Sequence, residues 1–419
     1  MLTQGLGTLC PANRSMKRII FLNRFFFPDH SATSQILTDL AFHLAGSGIN
    51  IHVITSRQLY DQANARLPAQ DSVRNVQIHR ISTTHFGRLA LLGRSIDYCS
   101  YYASTLRCLR ALVRRDDIVV AMTDPPLISA FAMPVVTRQG ANLVNWVQDI
   151  YPELAVNLNV PFLRGPIAKV ISVLRDKSFK AAKANVVVAR QMVSKIVSRQ
   201  GVSNRVYFIP NWTDDEEIRP IPHAENPFRC KWQLRDKFVV GYSGNLGRAH
   251  EFDTVLAASH HLKDNSRIVF VCIGGGHKFS DFQRRVGQQS LSPMFRFFPY
   301  QHRNMLKYSL GVADVHWISL EPKLEGLLFP SKFYGIAAAG RPIIAITTEK
   351  GELAQLVNQH RCGVIVNPGD GKRLARTLLD LSTDSERLAD MGCRARAMLE
   401  SHFSKRHALE SWCALLKSL

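Results

Sequence analysis

The sequence predicts an α/β protein with two doubly wound parallel sheets, one in each half of the chain, facing each other across a cleft. Its 419 residues are enough for two domains of about 200 residues, each with a sizeable core. Short apolar runs alternate with amphipathic stretches, which is the βαβ rhythm of a parallel sheet covered on both faces. The rhythm restarts once, after residues 209–227, where Pro, Asn and acidic residues indicate an interdomain connection.

In the first half, the predicted strands are the apolar runs 18–23, 49–55, 76–81, 117–122, 142–148, 184–189 and 205–210. Between the first two runs, residues 34–48 place Ile36, Leu37, Leu40 and Leu44 at helical spacing and end in glycine. This segment therefore predicts a helix that packs on the sheet.

In the second half, the predicted strands are 238–244, 267–274, 295–299, 313–320, 342–347 and 363–368. We therefore predict a Rossmann-like domain over residues 1–212 and a second over 213–395. A final helix within 396–419 is expected to pack back on the first domain. Residues 1–15 are expected to be a loose leader, because a good first strand follows directly after Met16.

The composition is that of a globular protein, with 46% hydrophobic and 21% charged residues. No apolar run reaches the roughly 20 residues that a membrane-spanning helix needs. The cysteines stand singly without a CxxC pair, which predicts reduced thiols in a cytoplasmic protein. The histidines lack the spacing of zinc ligands, so no metal is predicted.

The net charge of +20 is concentrated in residues 1–212, which carry 25 Lys and Arg against 11 Asp and Glu. Most of this excess lies in residues 86–115 and 160–200. Such a surface attracts nucleic acid, anionic lipid or a phosphorylated substrate. The chain shows no recognisable nucleic-acid-binding module, so no nucleic-acid partner is predicted.

The segment 93–116 predicts a helix with a basic face and an apolar face. The two faces consist of Arg107, Arg110 and Arg114, and of Leu106, Leu109 and Val113. Because apolar residues also precede it at 88–93, we predict an interfacial membrane anchor. A domain helix with a solvated basic face is the alternative.

Ligands of open α/β sheets bind beyond the carboxyl ends of the strands, so the loops there are expected to carry the chemistry. Gly244 and Gly247 follow the first strand of the second domain and bracket Asn245, and Arg248 comes next. Glycines let the backbone approach a ligand, and the helix expected to begin near residues 250–251 presents free N–H groups to an anion. These residues predict a phosphate site, and a tight turn is the alternative.

A second glycine-rich strand exit lies at residues 274–276, with Gly275 at its centre. It lacks the spacing of a dinucleotide-binding fingerprint. Room for a base or a ribose and a plain flexible loop are both compatible with this composition.

Residues 325–342 read EGLLFPSKFYGIAAAGRP and place Ser331 and Lys332 where a turn meets a small-residue helix. The positive end of the helix dipole repels cations, so a lysine there is favourable when an anion binds beside it. A surface lysine beside a core helix is the alternative.

In the first domain, Asp29 and His30 follow the first strand, and Asp149 and Glu153 follow the strand predicted at 142–148. Carboxylates at strand exits of a basic domain are candidates for holding a substrate hydroxyl or acting as a general base. Helix capping and local salt bridges are the alternatives.

Taken in order, several segments resemble the retaining glycosyltransferases of family 4. They are VVVARQMVSKIV, IPNWTD, SGNLGRAHEFDTVL, CIGGG, FFPYQ, ADVHWISLEPKLEGLLFPSKFYGIAAAGRPIIA and GELAQLVNQHRCGVIVNPGD. The resemblance covers about residues 17–415. It implies the GT-B architecture and metal-independent transfer of a hexosyl or deoxyhexosyl unit from a nucleotide-diphosphate sugar with retained anomeric configuration. The form PSKFYGIAAAGRP is similar to a subgroup that builds bacterial exopolysaccharide, capsule and O-antigen.

The resemblance also implies roles for individual residues. Donor binding would involve Gly244, Asn245, Gly247, Arg248, Gly275, Ser331, Lys332 and Glu352. Catalysis would involve Asp149, Lys332 and Glu325. The resemblance places the acceptor on the first domain, where Asp29, His30 and Glu153 at the strand exits are therefore the candidates for binding it. Lys332 and Ser331 would meet the donor diphosphate, and Glu352 would contribute beside the sugar.

The sequence departs from the family pattern at several of these positions. Gly335 stands where many members carry a second glutamate that grips the donor ribose, and Glu325 matches the first glutamate only with shifted spacing. Gln148 replaces the usual histidine before Asp149. Asn245 and His250 replace a common Arg and Lys.

We therefore predict a glycosyltransferase on the cytoplasmic face of the plasma membrane, held peripherally by its basic first domain. Its expected partners are a nucleotide sugar as co-substrate, a lipid-linked saccharide acceptor and an anionic membrane surface, with no permanently bound cofactor. One alternative is a sugar-nucleotide epimerase, which would release nucleotide without an acceptor. The other is a non-catalytic partner in a polysaccharide assembly complex, suggested by the missing second glutamate.

Overall fold

The computed structural model describes residues 17–60, 62, 64–84, 86, 91–161, 163–198 and 202–419. The prediction for residues 1–15 lies outside this part of the chain, as do residues 88–90 of the predicted membrane anchor. The strands of the first sheet are β1 (Ile19–Leu22), β2 (Ile51–Ser56), β3 (Gln70–Val73), β4 (Val76–Ile81), β5 (Ile118–Met122), β6 (Asn142–Val147), β7 (Ala184–Val187) and β8 (Val206–Phe208).

The strand order in this sheet is β3-β4-β2-β1-β5-β6-β7-β8, and every pairing is parallel except that of β3 with β4. Sequence analysis missed β3. Its residues Gln-Asp-Ser-Val form an exposed edge that is held by pairing with β4 rather than by apolar side chains. An edge strand of this kind carries no apolar run to detect.

Helices cover both faces of the first sheet. They are α1 (Ala32–Gly46), α2 (Leu91–Leu112), α3 (Ile128–Arg138), α4 (Glu153–Asn157), α5 (Gly165–Ala181) and α6 (Arg190–Val197). Helix α1 buries Ile36, Leu37, Leu40 and Leu44 against the strands, as its spacing predicts.

The interfacial anchor predicted in α2 is wrong for its apolar face. Leu109 and Val113 are buried in a core cluster with Ile20 and Leu22 of β1, so they face the sheet. Arg107, Arg110 and Arg114 of the same segment are exposed. The alternative is found instead, a domain helix whose basic face meets solvent.

The strands of the second sheet are β9 (Phe238–Asn245), β10 (Ile268–Gly275), β11 (Phe295–Phe298), β12 (Val315–Ser319), β13 (Ile343–Ile346) and β14 (Gly363–Val366). Their order is β11-β10-β9-β12-β13-β14, and all pairings are parallel. The helices of this half are α7 (Pro227–Lys231), α8 (Asp253–Leu262), α9 (Phe279–Gln288), α10 (Leu306–Gly311), α11 (Lys332–Ala338), α12 (Glu352–His360), α13 (Gly371–Thr383), α14 (Ser385–Met398) and α15 (Lys405–Ser418).

Helix α8 begins at Asp253, not near residues 250–251 as predicted. The reason is that residues 250 and 251, where the helix was expected to begin, are bound to the end of β12. His250 Nδ1 lies 2.6 Å from the Ser319 carbonyl oxygen, and the Glu251 amide donates to Ser319 Oγ at 3.1 Å. Contacts with a neighbouring strand end therefore delay the helix.

The end of the chain contacts the first sheet. A π-helical turn, Leu399–Phe403, separates α14 from α15. The buried ring of Trp412 in α15 lies 4.5 Å from that of Trp146 in β6, measured between centroids. The final helix was expected to pack on the first domain, and this contact joins it to β6 of that domain. The domain boundaries themselves stay a prediction.

The two halves also meet through an ionic cluster of Asp39, Asp214, Arg303 and Lys405. Arg303 Nη2 lies 3.4 Å from Asp39 Oδ1 and 3.2 Å from Asp214 Oδ2. Lys405 Nζ lies 3.3 Å and 3.0 Å from the same oxygens. The cluster joins α1, the interdomain connection, the second half and α15.

The carboxyl edges of the sheets approach each other directly. Asp149, just after β6, forms an antiparallel bridge with Leu328, and the Ile150 amide donates to the Leu327 carbonyl at 2.8 Å. The strand-exit loops of both halves therefore lie along one cleft.

Candidate functional site

Lys332 is directed at the glycine turn that ends β9. A Cβ atom built on Gly244 would lie 3.0 Å from Lys332 Cε. Gly244 also has φ of +123°, a conformation that favours glycine. Lys332 Nζ lies 5.3 Å from the centre of the Tyr242 ring, within reach of a cation–π interaction. The absence of a side chain at Gly244 thus leaves room for the lysine.

His250 holds the lysine in this place. Its Nδ1 lies 2.6 Å from a carbonyl oxygen, Ser319 O, so Nδ1 carries the proton and donates. Its Nε2 lies 2.9 Å from Lys332 Nζ and accepts a hydrogen bond from it. Burial, and secondly the charge of Lys332, lower the pKa of His250 to about 3. The histidine is therefore a neutral acceptor.

Burial lowers the pKa of Lys332 from 10.5 to about 7. Among the described residues, no carboxylate forms an ion pair with this ammonium group, and its hydrogen-bond acceptor is the neutral His250. Another lysine, Lys278, donates to the carbonyl oxygen of His250 and forms an ion pair with Glu321 at 3.2 Å. An anion that bound beside Lys332 would favour its charged form.

The two glycine-rich strand exits are joined to each other. The Leu246 amide donates to the Gly275 carbonyl at 2.7 Å, and the Lys278 amide donates to the Leu246 carbonyl at 2.9 Å. Gly276 has φ of +121°, and a Cβ there would lie 2.1 Å from Asn245 Oδ1. This close packing makes the pair of loops one surface, on which the side chains of Asn245 and Arg248 are exposed.

Ser331 is the N-cap residue of α11, but its hydroxyl makes no capping hydrogen bond. It lies next to Lys332 at the same end of the helix. Gly335, one turn further along, faces α10, because a Cβ there would lie 3.4 Å from Leu310 Cδ1. The position where the family carries its second glutamate is thus directed at a neighbouring helix.

Glu325 is bound to the loop after β13. Its Oε1 accepts from Thr347 Oγ1 at 2.6 Å and from the Thr348 amide at 3.0 Å. Its Oε2 accepts from Thr348 Oγ1 at 2.6 Å. A Cβ on Gly351 would lie 2.8 Å from the same carboxylate. The structure therefore places Glu325 in a loop-holding role.

Glu352 crosses to the other half of the molecule. Its two oxygens accept from the amides of Arg190 at 2.7 Å and Gln191 at 2.8 Å, the first two residues of α6. These amides have no partner within their own helix, and a carboxylate suits a helix N-terminus. Glu352 lines one small interdomain cavity with Glu325.

Asp149 and Glu153 differ in their surroundings. Burial, followed by the nearby charge of Asp124, raises the pKa of Asp149 to about 7. Glu153 forms an ion pair with Arg175 of α5. This is the local salt bridge that the sequence analysis gave as the alternative to a chemical role. Asp149 therefore stays the stronger candidate for chemistry.

Gln148, in place of the family histidine, pairs with the amide of Asn211. Gln148 Nε2 donates to Asn211 Oδ1 at 3.1 Å, and Asn211 Nδ2 donates to Gln148 Oε1 at 2.7 Å. Both side chains are buried. Both polar groups of the Gln148 side chain are occupied by this pair, so Gln148 has a structural role.

On the opposite wall, Asp29 organises a loop. Its Oδ1 accepts from the Ser31 amide at 2.8 Å, and its Oδ2 accepts from the Tyr60 amide at 2.5 Å. Tyr60 Oη then lies 3.5 Å from Asn245 Nδ2 of the glycine turn. His30 is exposed beside this loop. Asp29 therefore reaches the glycine turn only through Tyr60.

Sequence reasoning missed several partners in the cleft. No sequence motif points to the residues concerned, which are Tyr242, Tyr60 and the two threonines that bind Glu325. The sequence marks His250 only as an expected helix start and as a departure from the family pattern. Its position directly after a glycine turn was the signal that could have revealed its contact with Lys332.

Residues 226–398 match the family model described as "Glycosyl transferases group 1". The chain carries a group 1 glycosyltransferase domain. The matched range includes the glycine turn, His250 and Lys332, so the domain contains the lysine contacts described above. The glycosyltransferase resemblance found in the sequence is confirmed.

Two curated proteins have sequences similar to that of this chain. The probable glycosyltransferase WbjE of Pseudomonas aeruginosa is 26% identical over 314 residues, which cover 74% of this chain and 77% of WbjE. The putative colanic acid biosynthesis glycosyl transferase WcaI of Escherichia coli K12 is 24% identical over 271 residues, which cover 63% of this chain and 66% of WcaI.

Among solved structures, Anabaena HepE in complex with UDP and glucose superposes with a TM-score of 0.72. The match is 15% identical in sequence and covers 96% of this chain and 100% of HepE. A likeness at this identity shows the fold. The predicted GT-B fold of two Rossmann-like sheets is therefore confirmed.

The described residues contain neither a candidate membrane span nor a candidate metal cluster. No helix in this part of the chain is both long and apolar enough to cross a membrane. Nor do the described His, Cys, Asp and Glu side chains form a group of three or more that could hold a metal ion.

Proposed function

We propose that this protein is a retaining glycosyltransferase that moves a hexosyl or deoxyhexosyl unit from a nucleotide-diphosphate sugar to a lipid-linked saccharide. The pathway would be the assembly of a bacterial cell-surface polysaccharide, as the relative WcaI, a putative colanic acid biosynthesis glycosyl transferase, suggests. The observation that carries the proposal is the contact of Lys332 with His250 and Gly244, inside the group 1 domain.

The chemistry of this contact suits a diphosphate. A desolvated lysine without an acidic partner gains a favourable interaction when phosphoryl oxygens arrive. Gly244 leaves the turn open to close approach, and the exposed Arg248 adds a second positive charge. As the sugar leaves, charge grows on the diphosphate, and a fixed ammonium group stabilises that charge more than it stabilises the ground state.

Asp149 is the proposed contact for a reacting hydroxyl. It lies at the meeting of the two halves through its bridge with Leu328. With a pKa raised to about 7, its carboxyl group can either donate or accept a hydrogen bond near neutral pH. Its proposed partner is a hydroxyl of the sugar or of the acceptor.

The test is nucleotide release measured with purified protein and a panel of nucleotide sugars, with and without extracted lipid-linked acceptor. Transfer predicts release that depends on acceptor, with the donor's anomeric configuration kept in the product by NMR. Lys332→Ala should lose this activity. Lys323→Ala is the matched control, because Lys323 is exposed and lies in the same loop.

The state of the carboxylates favours a second candidate function, that of a non-catalytic partner in a polysaccharide assembly complex. Both Glu325 and Glu352 are occupied by protein hydrogen bonds, and Gly335 has no carboxylate to offer a ribose. This candidate predicts no turnover of any donor and no loss of function in Lys332→Ala. Release of nucleotide without acceptor would instead indicate an epimerase.

A further inference from the structure

Helix α5 exposes a row of large apolar side chains. The exposed fractions are 52% for Ile167, 59% for Val170, 48% for Val173 and 39% for Leu174. Residues three and four apart share one face of a helix, so these four form a single stripe. No segment in the described part of the chain covers this stripe. A contiguous exposed apolar surface of this kind marks an interaction site.

The opposite face of α5 packs against the first domain. Arg175, Ser178 and Phe179 are buried. The Ser178 hydroxyl donates to Asn145 Oδ1 in β6 at 3.2 Å. The helix therefore cannot rotate to hide its apolar stripe, which stays directed at solvent.

Lysines surround the stripe. Lys169, Lys177 and Lys180 are all exposed on α5. Lys177 follows Val173 by four residues and Lys169 precedes it by four, so both lie beside the apolar row. The only acidic residue of α5 is Asp176, and its carboxylate is paired with Arg175 at 2.9 Å. The stripe therefore has a cationic border.

We propose that the exposed face of α5 docks on an anionic lipid bilayer, with its apolar stripe in the interface and its lysines at the headgroups. An amphipathic helix with this division of side chains binds by burial of apolar area and by attraction to anionic lipid. Charge complementarity favours the bilayer over a second copy of this chain, which would bring the same lysines together.

The docking surface is connected to the cleft. Arg175 of α5 donates to the Tyr151 carbonyl at 2.5 Å and pairs with Glu153, so it fixes the loop that follows Asp149. Docking through α5 would therefore hold the acceptor side of the cleft beside the lipid surface. This last step rests on the proposed function with a lipid-linked acceptor, whereas the docking itself does not.

Cosedimentation of the full chain with phosphatidylcholine vesicles, with or without 30% phosphatidylglycerol, tests the proposal. We expect binding that needs the anionic lipid and falls as salt is added. The variant Ile167→Asp/Val170→Asp should lower the partition coefficient about tenfold or more. Lys169→Glu/Lys177→Glu should lower it about fivefold per lysine. Leu379→Asp is the matched control, because Leu379 is 40% exposed on α13 in the other half.

Wild-type-like sedimentation of both α5 variants would overturn the proposal, as would a wild-type chain that stays in the supernatant. A wild-type dimer in light scattering that the α5 variants dissociate, with vesicle binding unchanged, would assign the stripe to a second copy instead. Vesicle binding needs no donor turnover. Its outcome and that of the nucleotide-release assay therefore fail or succeed separately.

Discussion

The glycine turn of the second sheet and the carboxylates of the interdomain contact lie along one cleft, yet their polar groups are used differently. At the turn, Lys332 has a neutral histidine as its hydrogen-bond acceptor and no acidic partner among the described residues. At the contact, Glu325 and Glu352 have both oxygens occupied by hydroxyl and amide donors of the protein.

This difference indicates that one region of the cleft binds a ligand and the other holds the loops in place. A buried cation without a counter-ion raises the free energy of the empty protein and is compensated when an anion binds. A saturated carboxylate holds loops in place whether or not a ligand is bound. The first region is thus suited to ligand chemistry and the second to the geometry of the cleft.

The sharpest test of this division is Lys332→Met, which keeps the length of the side chain but removes its charge. We expect transferase activity to fall about 100- to 1,000-fold, as for loss of a transition-state charge partner. The measurement is kcat/KM with saturating acceptor. Thermal unfolding should show that the variant is folded, and activity near the wild-type level would exclude Lys332 from the diphosphate site.

The opposite region should respond in stability. Glu325→Ala removes the acceptor of three hydrogen bonds, so the free energy of unfolding should fall by about 2–3 kcal/mol. Urea unfolding measures this change. The variant Glu325→Gln keeps an acceptor oxygen and should recover part of the loss. An inactive Glu325→Ala of unchanged stability would instead make Glu325 a catalytic residue.

The pH dependence of donor binding sharpens the comparison further. In the free protein, burial lowers the pKa of Lys332 to about 7, so its charged fraction declines as pH rises through 7. Because a diphosphate binds the charged form, donor Kd should rise about fivefold between pH 7 and pH 8. Calorimetric titration measures the Kd. Lys332→Met should lose this dependence, and an unchanged slope in that variant would assign it to another group.

The smallest effect is expected from Glu352→Gln, which weakens the hydrogen bonds to the amides of α6. Neutralising the carboxylate should cost about 1 kcal/mol of interdomain contact, because its charge also complements a helix N-terminus. Small-angle scattering should then show a larger radius of gyration without donor. If Glu352 binds the sugar instead, the radius stays constant while KM for the donor rises.

Much of this architecture could be predicted from the chain itself. Every predicted strand is present, because buried parallel strands are continuous apolar runs that stand out in a sequence. Strand β3 could not be found, since its pairing depends on backbone groups of β4 and its side chains are polar. The start of α8 was misplaced for a similar reason, as His250 and Glu251 are bound to the end of β12.

The candidate site also combines features that the local sequence predicts with contacts that only the fold creates. By itself the sequence determined the alternation of strands and helices, the excess of positive charge in the first half, and the lysine placed at a helix start beside glycine-rich loops. Only the tertiary structure decided that Lys332 meets His250 and that Glu352 binds the amides of α6. It also decided that α5 exposes a row of apolar side chains, whereas Leu109 and Val113 of the predicted anchor face the core. Periodicity and composition are local properties of a chain, whereas burial and hydrogen-bond partners depend on which distant segments the fold brings together.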